Sequence, residues 1–303
     1  MAPSSRTTIV TSPAKPVSLA PLQRTRGAVQ HALAIVLFAL GLAAHAALDE
    51  SVMRAPVVRG VEQASIDVTV FRPPGAGPFP VVVLSHGSPR SAEDRRREGR
   101  QRLVAQSQRF VAMGFAVLVP TRRGYGESGG TWAEAYGTCS NPDYHSAGIE
   151  TARDLRAAVD AVRGEPWADT RRVVLAGQSA GGFGSVAASS QPFDGLVGVV
   201  NFAGGRGSRG PDDVCGEERL VEAMARYGGG ARVPELWIYS VNDRFFGPGL
   251  AQRMHAAFVR AGGNAELVEA PATGLDGHGY FARAMDDWAP RVAGFLKRIG
   301  AAP

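Results

Sequence analysis

The chain has 303 residues, 45% of them hydrophobic, which is enough for one large core or at most two domains. Its formal charge is +5, but Arg6, Lys15, Arg24 and Arg26 stand before residue 47 with no acid among them, so the remainder is near neutral. That distribution argues against a nucleic-acid partner.

The N-terminus reads as a targeting segment. Arg24 and Arg26 precede an apolar run from Ala32 to Ala44, and Ala44-His45-Ala46 follows as a small-residue cleavage pattern. A charged region, a short apolar core and such a site describe a secretory signal peptide. The run is shorter than the ~20 residues of a membrane-crossing helix. We therefore expect residues 1–46 to be removed by cleavage after Ala46, leaving no stable membrane anchor and a secreted or periplasmic domain over residues 47–303. In an exported protein, the two cysteines Cys139 and Cys215 suggest a disulfide.

From Val57 to Phe71 apolar and polar residues alternate, which predicts a half-exposed edge strand or hairpin. Pro80–Ser85 is an apolar strand that runs into His86-Gly87-Ser88. A polar segment from Ser91 to Arg102 predicts a helix that continues to Gly114, with Arg95-Arg96-Arg97 on a solvated face. Phe115–Pro120 is the next strand. A long loop through Arg123-Gly124-Tyr125-Gly126, Trp132, Tyr136 and Cys139 follows. Ile149, Ala152, Leu155, Val159 and Val162 then recur at helical spacing. Val173–Ala176, Leu196–Phe202, Glu235–Ser240 and Ala265–Ala270 read as strands, with helices between them and a last helix over about Met285 to Ile299. Strands alternating with helices predict a doubly wound, mostly parallel sheet in one domain.

The chemistry centres on Gly177-Gln178-Ser179-Ala180-Gly181, which follows an apolar strand and leads into a helix. This is the Gly-x-Ser-x-Gly pattern of a nucleophile elbow. Ser179 is the candidate nucleophile. A serine hydroxyl needs a base, and the base needs an orienting acid. In this kind of fold the order is serine, acid, histidine. His278, between Gly277 and Gly279 after the last strand, is the candidate base. Asp243, after the strand Glu235–Ser240, is the candidate acid, and Asp276 is its competitor. His86 is read as structural. The N–H groups of Ala180 and Ser88 are the candidate oxyanion donors, with Gly87 as the alternate to Ser88. The histidines and cysteines lack metal-ligand spacing, and no dinucleotide fingerprint follows the first strand, so no metal and no cofactor are expected.

These motifs resemble the α/β-hydrolase superfamily, and within it the dienelactone hydrolase-like and prolyl-oligopeptidase-like branch. The residues that carry the resemblance are His86-Gly87, Arg123-Gly124-Tyr125-Gly126, Gly177–Gly181, Asn242-Asp243 and Gly277-His278, and it covers about Ala55 to Gly300. It implies an α/β-hydrolase fold with about eight mostly parallel strands and helices on both faces. Dienelactone hydrolase uses a cysteine nucleophile, whereas this elbow carries Ser179, which favours ordinary esters. The expected function is an exported serine hydrolase acting on a small-molecule ester. The alternatives are a serine peptidase of prolyl-oligopeptidase type and a non-catalytic binding protein on the same scaffold. The few residues between Ala46 and Ala55 leave no room for a propeller domain, and no triad member is missing. A disulfide between Cys139 and Cys215 would bridge loops about three strand spacings apart, ~14 Å, and brace the rim of the site as a small fixed lid.

Overall fold

The computed structural model describes residues 48–303. The predicted signal peptide and its cleavage point after Ala46 lie outside the described residues. The strands are β1 (Asp49–Arg59), β2 (Glu62–Arg72), β3 (Phe79–Ser85), β4 (Ala116–Thr121), β5 (Ala168–Gln178), β6 (Leu196–Phe202), β7 (Ser208–Gly210), β8 (Asp213–Val214), β9 (Glu235–Ser240) and β10 (Ala265–Ala270). Eight of them form one sheet in the order β1-β2-β4-β3-β5-β6-β9-β10, and β7 and β8 form a small separate ribbon. The β1–β2 and β2–β4 pairings are antiparallel, and every pairing from β4 to β10 is parallel. This is the α/β-hydrolase fold that the sequence resembled.

The central strands are apolar throughout because both faces of the sheet are covered. Their side chains alternate between two cores. Val81, Val83, Val173 and Leu175 face one, with Phe183 and Val186 of the helix Ala180–Ser189 and with Leu155, Leu220 and Phe258 from three other helices. Val82, Leu84, Val174 and Ala176 face the other, with Phe110, Trp288, Val292 and Phe295. Trp288 is the hub there: Phe202, Phe281 and Phe110 lie 5.3, 5.4 and 5.7 Å from it between ring centroids.

Three sequence-based expectations need correction. The edge hairpin begins at Asp49, and β2 is buried on both faces from Val68 to Phe71, because Val68 and Val70 pack into one core, Phe71 packs into the other, and Thr69 Oγ1 donates to the Gln101 carbonyl. The long helix from Ser91 to Gly114 is two helices, Ala92–Arg97 and Val104–Ala112. Glu98 is extended, and Leu103 takes a left-handed conformation at φ 45°. The break is held by Arg100 and Arg102, which both bind Glu50, and by the Gln101 N–H, which donates to Thr121 Oγ1 at 2.8 Å. Finally, Arg95 is buried, not solvated. Its guanidinium lies 3.6 Å above the Trp132 ring, and its Nη1 donates to the Pro89 and Arg90 carbonyls.

The parallel strands end together on one edge. There the loops after β3, β4, β5, β6, β9 and β10 converge, where ligands bind in open α/β sheets.

Candidate active site

The elbow is built by contacts too close for any side chain. A Cβ on Gly177 would stand 2.5 Å from the Gly181 carbonyl carbon, and one on Gly181 would stand 2.2 Å from the Ser85 oxygen. Ser179 itself has φ 55° and ψ −123°. Such a conformation costs a non-glycine residue about 1–3 kcal/mol, so the surroundings must impose it. They do so through three bonds: the Ser179 N–H donates to Phe202 O at 3.0 Å, and its carbonyl accepts from the N–H groups of Phe183 (2.9 Å) and Gly205 (3.2 Å). The helix Ala180–Ser189 starts immediately afterwards, so the Ala180 N–H is one of the first-turn donors that lack an intrahelical acceptor.

Asp243 and His278 meet. His278 Nδ1 lies 3.1 Å from Asp243 Oδ2. The other carboxylate oxygen accepts the N–H groups of Phe245 (2.7 Å) and Phe246 (2.9 Å), so the acid is fixed in a turn after β9. The imidazole stacks on the Phe245 ring, with centroids 4.3 Å apart and planes 9° apart. Gln178 Nε2 donates to the His278 carbonyl at 2.6 Å, which ties the histidine loop to the elbow. Asp276 does different work. Its Oδ1 accepts the backbone N–H groups of His278 (2.9 Å) and Arg244 (3.1 Å) and so shapes the loop.

The peptide between Gly87 and Ser88 is held from one side. His86 Nδ1–H donates to the Gly87 carbonyl at 2.7 Å, and Arg122 Nη2 donates to it at 3.3 Å. Burial, with the Arg122 charge beside it, pushes His86 well below the ordinary imidazole range. The ring is therefore neutral, and its Nε2 accepts the Arg122 N–H at 3.3 Å. In a trans peptide the carbonyl and the next N–H point in opposite directions. Anchoring the Gly87 carbonyl thus turns the Ser88 N–H the other way.

Behind this peptide lies a buried ionic network that sequence reasoning missed. Arg122 Nε binds Glu134, Arg206 Nη2 binds Glu134 Oε2 at 2.6 Å, and Tyr125 OH donates to the same oxygen at 2.9 Å. Tyr125 OH also lies 2.7 Å from Ser88 Oγ. Burial would push Glu134 up, but the Arg122 and Arg206 guanidiniums outweigh it and hold the carboxyl well below the ordinary carboxylate range. The neighbouring residue Arg123 makes a separate pair: burial pushes Asp154 up to about 6, against the opposing Arg123 charge. In the sequence the only signal was the pair Arg122-Arg123 at a strand end, a place where unpaired charges are not buried.

Ser179, His278, Ala180, Ser88 and Gly87 all line one cavity of about 470 Å³, whereas Asp243 stands behind His278. Trp132 and Tyr136 come from the loop after β4, Arg206 from the loop after β6, and Arg209 from β7. A disulfide joins these loops: Cys139 and Cys215 are bonded, with Cα atoms 5.2 Å apart. Among the described residues, no cluster of three or more His, Cys, Asp or Glu is placed to hold a metal ion.

The comparisons with known proteins agree with this architecture. The family model described as X-Pro dipeptidyl-peptidase (S15 family) matches residues 62–242. No curated protein sequence matches the chain. Among solved structures, the acylaminoacyl peptidase of Pyrococcus horikoshii is 17% identical, with a TM-score of 0.61 over 83% of this chain and 41% of that one. An esterase of Pyrococcus furiosus is 17% identical, with a TM-score of 0.57 over 83% of this chain and 90% of that one. Dipeptidyl peptidase 4 of Porphyromonas gingivalis is 15% identical, with a TM-score of 0.61 over 83% of this chain and 35% of that one. At these identities the likeness is one of fold. The chain spans about two fifths of the length of the peptidases and nearly the whole of the esterase.

Proposed function

The chain belongs to the X-Pro dipeptidyl-peptidase (S15) family of the α/β-hydrolase superfamily, and from that premise we propose that it is an exported serine hydrolase of carboxylic esters, working through Ser179, His278 and Asp243. The observation that carries the reading is the 3.1 Å contact between His278 Nδ1 and Asp243 Oδ2, with His278 and the strained Ser179 on one cavity wall.

His278 Nε2 takes the proton of Ser179 Oγ as the oxygen attacks the ester carbonyl. Asp243 keeps Nδ1 protonated and stabilises the imidazolium. The tetrahedral oxyanion is received by the N–H groups of Ala180 and Ser88. Collapse expels the alcohol, which takes the proton from His278 and leaves an acyl-serine. Water, deprotonated by the same imidazole, releases the acid and restores the enzyme.

Ester cleavage is preferred to dipeptide release on one ground from the cavity. Removing a dipeptide from a chain's N-terminus requires a partner for the free α-ammonium. Among the described residues, no aspartate or glutamate lines the cavity. The peptidase reading rests on family membership alone. Steady-state hydrolysis of p-nitrophenyl esters of increasing chain length, beside aminoacyl p-nitroanilides, tests the proposal. We expect ester turnover that falls by several orders of magnitude in Ser179→Ala. Turnover of the anilides alone would favour the peptidase, and turnover of neither would remove the catalytic reading.

Export is proposed with the same function. Support comes from the Cys139–Cys215 disulfide and from the sequence of residues 1–46. Among the described residues, no helix is long and apolar enough to cross a membrane. N-terminal sequencing of protein from the native host should find Leu48 close to the start, after cleavage at Ala46.

A further inference from the structure

The cavity has a marked charge asymmetry. Four arginines line it, Arg90, Arg95, Arg206 and Arg209, with no aspartate or glutamate beside them among the described residues. Their pairing differs. Arg209 is bound to Asp213 and Arg206 to Glu134. Arg95 meets only backbone carbonyls and the Trp132 ring. Arg90 makes no ion pair among the described residues, and its guanidinium lies 4.7 Å from the centroid of the Phe245 ring, the ring on which His278 stacks. A free cation thus stands one ring away from the candidate base.

Arginine presents a planar fork that matches the two oxygens of a carboxylate.

Resting on the ester-hydrolase reading above, we propose that the substrate is an anionic ester: a half-ester or similar compound that carries a second, free carboxylate, which Arg90 receives and the surrounding arginines attract. The same positive wall would repel a free α-ammonium. It would also raise the local concentration of an anion, so the preference should weaken with salt.

The test compares p-nitrophenyl hemiglutarate with p-nitrophenyl valerate, and 4-acetoxybenzoate with phenyl acetate, which places the carboxylate on the acyl side or on the leaving-group side. We expect kcat/KM to favour the charged member of at least one pair by about tenfold or more, the scale of one charged hydrogen bond. That ratio should fall toward one in Arg90→Gln and as ionic strength rises. Arg209→Gln, at an exposed position, provides a second variant. Calorimetric titration of Ser179→Ala protein with monomethyl glutarate and methyl butyrate reads the same preference without turnover. Tighter binding of the half-ester, lost when Arg90→Gln is added, supports the proposal. Equal or weaker use and binding of the charged compounds in every pair would overturn it, even if neutral esters are hydrolysed well. Failure to hydrolyse any ester would instead overturn the ester reading, and the titration would still decide the anion preference.

Discussion

Arg122 and Glu134 form an ion pair from which water is excluded on both sides, with side-chain exposures of 0% and 1%. The pair sits beneath the Gly87–Ser88 peptide, and the same guanidinium donates to the carbonyls of His86 (2.7 Å) and Gly87 (3.3 Å). The charge that stabilises Glu134 therefore also fixes the proposed oxyanion donor. Removing one member of a buried pair leaves the other uncompensated, which costs about 3–5 kcal/mol. Glu134→Gln should lower the unfolding free energy by that order, seen as a lower urea midpoint at unchanged slope, and reduce kcat in the folded fraction. An unfolding curve that superimposes on the parent's would refute the coupling.

Asp243 and Asp276 reach His278 differently, and substitution should separate them. Asp243→Asn replaces the Nδ1 acceptor and favours the wrong tautomer, so kcat should fall by about 10³–10⁴-fold. Asp276→Asn keeps an amide oxygen for the His278 and Arg244 N–H groups, and should cost about tenfold or less. The reverse order would move the acid role to Asp276.

Glu235 is buried with no cation beside it. Burial pushes its carboxyl up to about 8, against the hydrogen bonds from Ser189 and Trp237. At neutral pH it is protonated in the fold and ionised in the unfolded chain. The unfolded state thus binds fewer protons, and stability falls as pH rises from about 4.5 to about 8, by at most ~1.4 kcal/mol per unit. Glutamine can reproduce the protonated acid: it donates to Ser189 Oγ, which donates on to Val186 O at 2.9 Å, and accepts from Trp237 Nε1. Glu235→Gln should match the parent near pH 4.5 and gain on it steadily toward pH 8 in denaturant titrations. Parallel pH profiles would contradict this.

The disulfide joins residues 76 apart in sequence. Closing a loop of that length in the unfolded chain is worth roughly 4–5 kcal/mol by the entropic model. The Cys139→Ser/Cys215→Ser double variant should melt several degrees lower. It should also weaken substrate binding more than it slows chemistry, because Trp132, Tyr136 and Arg209 belong to the two tethered segments. An unchanged melting temperature would mean that the bridge adds nothing.

Much of the fold was legible because its signals are local. Gly177 and Gly181 report a turn that only glycine fits, and the apolar runs of β3, β5, β6 and β9 report strands covered on both faces. Strand ends and chain order pick out the candidate acid Asp243 and the candidate base His278, whose side chains meet in the fold. The rest was hidden for physical reasons. β1 stands at the sheet edge, so Asp49, Glu50 and Arg54 interrupt any alternation. The Arg122–Glu134–Arg206 network draws on positions 12 and 72 residues apart, which no local pattern joins. Arg95 looked like part of a solvated triplet, because its partner Trp132 lies on a distant loop.

If Ser179 is the nucleophile, it becomes acylated in every turnover. The most direct measurement is intact-protein and peptide mass spectrometry after rapid quench with a p-nitrophenyl ester, repeated with a fluorophosphonate. One adduct per chain is expected, carried by the peptide that contains Ser179 and absent from Ser179→Ala. Ester hydrolysis without an adduct on that peptide, or an adduct that persists in Ser179→Ala, would contradict it.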